Sequence, residues 1–254
     1  MMQKKIVNKR KPKLETAMIL AAGLGLRLRP ITNKIPKPLV KVADHTLLDH
    51  TIDKLLAIGV KTAIINIHYL GDQIRQHLSK RTDLEIIFSS EADVLLETGG
   101  GIKNALEYFG DEPFFACNAD VLWLNGPSPV LERMQDSWNN DQMDGLLMLH
   151  STVEAYGYMG NGDFELDPVG RLSRKLEREL TPYLFTGVQI LHPRIFKDTP
   201  LGAFSLNIIY DKLIKTSRLY GIVNDGEWFH IGTPDGLDQA EKYMQHRYSG
   251  VRHR

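Results

Sequence analysis

Two patterns of apolar spacing alternate along the chain. Ala17 to Ala22 is a short continuous apolar run closed by Gly23, which predicts a buried strand opening into a loop. From Leu47 to Leu56, the positions Leu48, Ile52, Leu55 and Leu56 recur at helical spacing, with Asp44 or Thr46 as cap and Gly59 as stop. Thr62 to Ile67 is rich in β-branched residues and predicts a second strand; Ile74 and Leu78 predict a short helix after Gly71. Leu84 to Phe88 reads as a third strand, Thr98 to Phe109 as a helix that begins among glycines, and Phe114 to Cys117 as a fourth strand. Asn118-Ala119-Asp120 follows that strand at its C-terminal end. A helix from Val130 to Trp138 and a strand from Gly145 to Leu149 continue the alternation.

Such regular alternation predicts an α/β fold: a doubly wound, mostly parallel sheet with helices on both faces. Ligands of such sheets bind outside the carboxyl ends of the strands, where the Gly23 loop and Asp120 fall. Beyond residue 150 the order is less regular. Tyr156 to Leu166 and Tyr183 to Leu191 read as strands, and Ser205 to Lys215 and Pro234 to Tyr248 as helices. The sequence shows no internal repeat and no low-complexity linker, so residues 16–254 are expected to form one domain. Residues 1–15 read as a disordered basic tail, in which Lys4, Lys5, Lys9, Arg10, Lys11 and Lys13 precede the first acid, Glu15.

Charge narrows the function. The 31 basic and 31 acidic residues cancel, which argues against a nucleic-acid partner. No apolar run reaches the length of a membrane span, and no apolar signal region follows the basic start. The lone cysteine, Cys117, lies in an apolar stretch and fits a buried role in a reducing cytoplasm.

The candidate chemistry begins with Leu20-Ala21-Ala22-Gly23-Leu24-Gly25-Leu26-Arg27-Leu28-Arg29-Pro30 and continues at Pro36-Lys37-Pro38. Small residues let backbone approach a phosphate or a flat base, and Arg27 and Lys37 add fixed positive charge beside it. A dinucleotide fingerprint would need glycine where Leu28 stands, and the Gly-Lys-Ser/Thr of a P-loop is absent. Glu97-Thr98-Gly99-Gly100-Gly101 opens a helix, where N–H groups favour anions and base carbonyls. Asp120, at a strand's C-terminal edge, is placed to hold Mg²⁺. His45, His68 and His192 lack metal-ligand spacing.

With the Leu20–Pro30 string and Pro36-Lys37-Pro38, the chain resembles the sugar-1-phosphate nucleotidyltransferases, or nucleoside-diphosphate-sugar pyrophosphorylases. Their signature is close to L-A-A-G-x-G-x-R-x-x-P followed by P-K-P. The resemblance extends through Asp120 and, more loosely, to Gly232-Thr233-Pro234. It implies a Rossmann-like fold of the nucleotide-diphospho-sugar transferase type, a nucleoside triphosphate and a sugar 1-phosphate as partners, and Mg²⁺ as cofactor. It implies that Ala21, Ala22, Gly23 and Gly25 line the nucleotide, joined by Thr98, Gly99 and Gly100 of the glycine-rich loop. Arg27 would hold the triphosphate and Lys37 the reacting phosphates. Asp163, Thr186 and Gly187 fall where the family's sugar-facing strands are expected.

The E-T-G-G-G form looks most like the N-acetylmuramate 1-phosphate uridylyltransferases, with the mannose 1-phosphate guanylyltransferases as near relatives. One position departs from the pattern. The family usually carries W-x-D-x-G-T, its aspartate a second metal ligand, whereas this chain reads Trp228-Phe229-His230-Ile231-Gly232-Thr233. Either the metal rests on Asp120 and phosphates alone, or His230 binds a softer ion such as Mn²⁺, or the site is inactive.

The implied reaction needs no general base, because a sugar phosphate is already an anion; its obstacle is repulsion from the nucleotide's α-phosphate. Two rival expectations are a non-catalytic nucleotide-sugar-binding regulatory protein and a choline- or ethanolamine-phosphate cytidylyltransferase on the same scaffold. The expected setting is cytoplasmic, as a monomer or small homo-oligomer, with neither nucleic acid nor membrane as partner.

Overall fold

The computed structural model describes residues 13–91, 94–174 and 180–249. Seven strands form one sheet: β1 (Thr16–Leu20), β2 (Thr62–Ile67), β3 (Glu85–Ser90), β4 (Phe114–Asn118), β5 (Gly145–Ser151), β6 (Tyr183–Leu191) and β7 (Leu219–Val223). Their spatial order is β7-β5-β6-β4-β1-β2-β3. The β3-β2-β1-β4 run is parallel, β6 is antiparallel to both its neighbours, and β7 runs parallel to β5. The mostly parallel, doubly wound sheet is therefore as expected, with one reversed strand near its middle.

Alternation along β1 sets the two faces. Ala17 and Ile19 point into one core, which takes Leu48, Ile52 and Leu55 of α1 (Leu47–Ala57), Ile74 and Leu78 of α2 (Gly71–Leu78), and Val130 and Met134 of α4 (Val130–Ser137). Met18 points into the opposite core, with Ile102 of α3 (Glu97–Asn104) and Ile209, Tyr210 and Leu213 of α5 (Asn207–Lys215). Thr46, not Asp44, caps α1, its hydroxyl accepting from Asp49 N at 3.0 Å. The helix expected from Thr98 to Phe109 ends at Asn104 and is followed by a separate 3₁₀ turn, Leu106–Tyr108.

A third apolar cluster lies under the loop that follows β1. It joins Leu28, Val40, Val42 and Leu47 to Phe229, Ile231 and, from α6 (Pro234–Ser249), Ala240 and Met244. The C-terminal helix thus anchors the loop from below. The strand expected from Tyr156 to Leu166 shrinks to Glu165–Leu166, paired with Leu172–Ser173; Tyr156 and Phe164 make only isolated bridges. Of the basic tail, residues 1–12 lie outside the described residues; Leu14 is buried, and Glu15 O accepts from Lys61 N at 2.8 Å. No helix among the described residues is long and apolar enough to cross a membrane.

Candidate active site

β1 and β4 run parallel with Leu20 level with Asn118, so the segments beginning at Ala21 and Ala119 leave the sheet side by side. Ala119 N donates to Leu20 O at 3.0 Å and ties the two exits together. Leu28 is fully buried in the third cluster, which fixes the 3₁₀ turn Leu26–Leu28 and leaves its neighbour Arg27 exposed. A second 3₁₀ turn, Lys37–Leu39, buries Pro38 and sends Lys37 back toward β4. There Lys37 Nζ donates to Asp120 Oδ2 at 2.6 Å, with the lysine side chain 13% exposed and the aspartate 34%.

Two chambers meet at these charges. The first, about 340 Å³, is lined by Leu20, Ala21, Gly23, Gly25, Leu26 and Gly232. The second, about 200 Å³, is walled by Tyr158, Phe185, Trp228 and Phe229, with Thr186, Gly187 and His230. Arg27, Lys37 and Asp120 line both. A molecule in each chamber would place its phosphate against the same three groups. Asp120 is the one carboxylate lining either chamber among the described residues.

The second chamber owes its shape to β6. The register of β6 against β5 shifts between Phe185 and Gln189, and Gly187 sits in this irregularity at φ +89°. A side chain there would also come within 2.8 Å of Asn118 Nδ2 and Val121 Cγ1. Thr186 lines the chamber, but its hydroxyl donates to Met148 O at 2.7 Å. Trp228 Nε1 donates to Thr186 O at 3.2 Å and locks the aromatic wall to the strand.

A family model for nucleotidyl transferases matches residues 16–247. The chain belongs to the nucleotidyl transferase family. It is 40% identical over 229 residues to the N-acetylmuramate alpha-1-phosphate uridylyltransferase of Caulobacter vibrioides, covering 89% of this chain and 95% of that one. It is 26% identical over 226 residues to the catalytic subunit beta of mannose-1-phosphate guanylyltransferase from Drosophila melanogaster, covering 86% and 59% respectively. Among solved structures, HddC from Yersinia pseudotuberculosis complexed with GMP-PN superposes with a TM-score of 0.72 at 26% identity, over 91% of this chain and 99% of that one.

In this nucleotidyl transferase most of the expected site residues converge. Ala21, Gly23, Gly25, Arg27, Lys37 and Asp120 line the first chamber; Thr186, Gly187 and His230 line the second. Five do not line either one. Ala22 is buried behind the loop. Thr98, Gly99 and Gly100 are engaged by the chain around Phe204: both glycine N–H groups donate to Phe204 O, at 2.8 and 3.1 Å, and Thr98 Oγ1 accepts from Leu206 N at 3.0 Å. A side chain at Gly99 would come within 2.4 Å of the Phe204 ring, so these glycines admit a packing segment and their N–H groups are not free for a base. Asp163 braces the β6 irregularity, its Oδ2 accepting from Phe185 N at 2.8 Å.

A residue of the site that sequence reasoning missed is Tyr158, in the wall of the second chamber beside the motif residue Trp228. Another is Asn66, whose Oδ1 accepts from Ala21 N at 2.7 Å. An asparagine inside the otherwise apolar stretch of β2 was the available signal for it.

The donors suit a hard cation only in part. No cluster of three or more His, Cys, Asp or Glu side chains that could hold a metal occurs among the described residues. Asp120 offers a carboxylate of the kind Mg²⁺ uses together with substrate phosphates and water. Burial, then the positive charges of Arg27 and Lys37, push the His230 imidazole below its ordinary pKa, against the pull of Asp120. The neutral ring is held among Trp228 and Tyr158, with ring centroids 5.9 and 6.2 Å away. It is a poor ligand for Mg²⁺.

Proposed function

We propose that this enzyme joins the nucleotidyl group of UTP to N-acetylmuramate 1-phosphate and releases pyrophosphate. The observation that carries the reading is the sharing of Arg27, Lys37 and Asp120 between two chambers. The first chamber takes the nucleotide against the small-residue loop, and Gly23 borders open space there. The second takes the sugar against Tyr158, a ring suited to stacking on a pyranose face and backed by the buried Trp228. The 40% identity to the Caulobacter uridylyltransferase supports the choice of base and sugar.

The acceptor phosphate oxygen attacks the α-phosphorus in line, and pyrophosphate leaves on the far side. Lys37 offsets the charge of the two phosphates that must approach each other, and Arg27 stabilises the departing β- and γ-phosphates. The walls of the chambers hold both substrates in the attack geometry. Asp120, with the substrate phosphates, would hold Mg²⁺, whose chemistry when bound is neutralisation of phosphate charge. The free, buried Cys117 supports a cytoplasmic setting, and the chain acts as a monomer or small homo-oligomer.

The test is pyrophosphate release from purified protein with Mg²⁺, each of UTP, GTP, dTTP, CTP and ATP, and a panel of sugar 1-phosphates. Turnover with UTP and N-acetylmuramate 1-phosphate is the expected result. Turnover with GTP and mannose 1-phosphate would reassign the substrates within the same chemistry. Silence with every pair, repeated with Mn²⁺, would favour a nucleotide-sugar-binding protein without catalysis.

A further inference from the structure

Behind the first chamber lies a buried carboxylate that takes no part in the chemistry above. Glu91 follows directly on β3 and is 3% exposed. Each of its oxygens accepts from a different segment. Oε1 takes the Asn66 side-chain amide at 2.6 Å, and Oε2 takes the backbone N–H of Leu96, the residue before α3, at 2.8 Å. Asn66, 2% exposed, passes the constraint on, because its Oδ1 receives Ala21 N at 2.7 Å. The Glu91 carbonyl is held too, accepting from His68 Nδ1 at 2.7 Å. Room for this array comes from Gly101, where a side chain would lie 2.7 Å from Glu91 Oε1 and 2.8 Å from Asn66 Nδ2.

We propose that Glu91 is the positioning residue of the nucleotide chamber: through Asn66 it fixes the Ala21 N–H, and with it the direction in which the phosphate-facing loop leaves β1. The inference rests on the reading of the first chamber as the nucleotide site. The chemistry requires a carboxylate rather than an amide. Both oxygens accept here, and a glutamine would turn an NH₂ group against either the Asn66 amide or Leu96 N–H. Leaving a buried donor unmet loosens the segment that carries it. An Asn66 amide without its acceptor no longer has a fixed rotamer, and its Oδ1 then releases the Ala21 N–H at the start of the loop bearing Gly23, Gly25 and Arg27. The walls of the second chamber come from β6 and from residues near 158 and 228, which Glu91 does not hold; of the loop it directs, Arg27 alone reaches that chamber.

The experiment compares Glu91→Gln, Asn66→Ala and the double variant by steady-state kinetics, varying each substrate in turn, with nucleotide affinity measured by calorimetry and folding by thermal melting. The KM for the nucleoside triphosphate should rise about tenfold in Glu91→Gln, the loss expected for one buried hydrogen bond. The KM for the sugar 1-phosphate should rise less than the nucleotide KM, because Arg27 is the one residue of the loosened stretch that also lines the second chamber; kcat should fall with it, since Arg27 faces the departing phosphates. The double variant should be no worse for the nucleotide KM than Asn66→Ala, because Asn66 is the downstream member of one relay. An equal rise in both KM values, or an unchanged nucleotide KM in folded variants, would overturn the proposal. If Glu91→Gln does not fold, Asn66→Ala decides, since it keeps the carboxylate and its bond to Leu96. A parent protein that binds no nucleotide by calorimetry would refute the functional reading instead; a parent and a Glu91→Gln variant that bind it equally would refute only the positioning role.

Discussion

Replacing Lys37 by alanine removes the cation at which the two chambers join. Its ammonium is 13% exposed and lies 2.6 Å from Asp120 Oδ2, so it acts where solvent screening is weak. Two unit charges about 4 Å apart attract by roughly 4 kcal/mol at an effective dielectric constant near 20. A phosphate oxygen reaching Lys37 gains a pull of that order, less the share already satisfied by Asp120 in the free protein. Without the amine, Asp120 faces an arriving polyanion with its own charge uncompensated. Removing one such preorganised donor costs about 10²–10³ in kcat, or about 2.7–4 kcal/mol. Pyrophosphate release under saturating substrates, with a thermal melt to confirm folding, measures the loss. Asp120→Ala and the double variant complete a cycle. The two losses should fall short of additivity, because the residues touch. A fall of tenfold or less in Lys37→Ala would refute the role given to this residue.

Other expectations follow from single positions. His230→Asp adds a second carboxylate beside Asp120 and should lower the Mg²⁺ concentration for half-maximal activity about tenfold; a metal titration showing no change in activity or ion preference would place position 230 away from the metal. Gly187→Ala forces a side chain onto Asn118 and Val121 at a positive φ, and should cost roughly 1–3 kcal/mol by denaturant unfolding while raising the acceptor KM more than the nucleotide KM. Asp144, 9% exposed, receives hydrogen bonds from Arg194 and Arg218 at the end of the sheet away from the site; Asp144→Asn should cost roughly 2–3 kcal/mol with kcat preserved. Burial pulls the Asp144 carboxyl upward, but the bonds from Arg218 and Arg194 outweigh it and set its pKa below the ordinary value. Its contribution is therefore full above the unfolded carboxylate range and fades as pH falls through the lowered folded value, so melts of parent and variant should converge in strong acid.

Legibility in the sequence tracked the distance over which each feature is determined. β1, β2 and β4 are continuous apolar runs because both faces of each are covered, and such runs announce themselves. The phosphate loop was readable for a similar reason: Leu28 and Pro38 anchor it locally, and the charged residues beside them have only one way to face. That Gly99 and Gly100 donate to Phe204 was not readable, because that residue is more than a hundred positions away and spacing says nothing of a segment that returns to pack. The bond from Phe185 N to Asp163 was hidden likewise, since it depends on a register shift between strands. Tyr158 escaped notice because an aromatic residue in an irregular stretch reads equally well as core.

Synthesis delivers the sheet in two batches. The first four strands to emerge, β1 to β4, are neighbours in space, and so are the last three, β5 to β7. Only the β4–β6 pairing stitches the batches together, with Cys117 opposite Val188 and Phe114 opposite Leu191. A ribosome adding about 5–20 residues per second leaves the outer edge of β4 unpaired for roughly 4–15 s before β6 is complete. That edge belongs to one of the most apolar strands of the protein and is a template for pairing with another chain while it waits. Arg27, Lys37 and Asp120 all travel in the first batch, whereas Tyr158, Gly187 and Trp228 arrive in the second. The nascent chain therefore carries the charges shared by the two chambers before the second chamber has its wall, and a chain truncated before Tyr183 keeps the sticky edge for good.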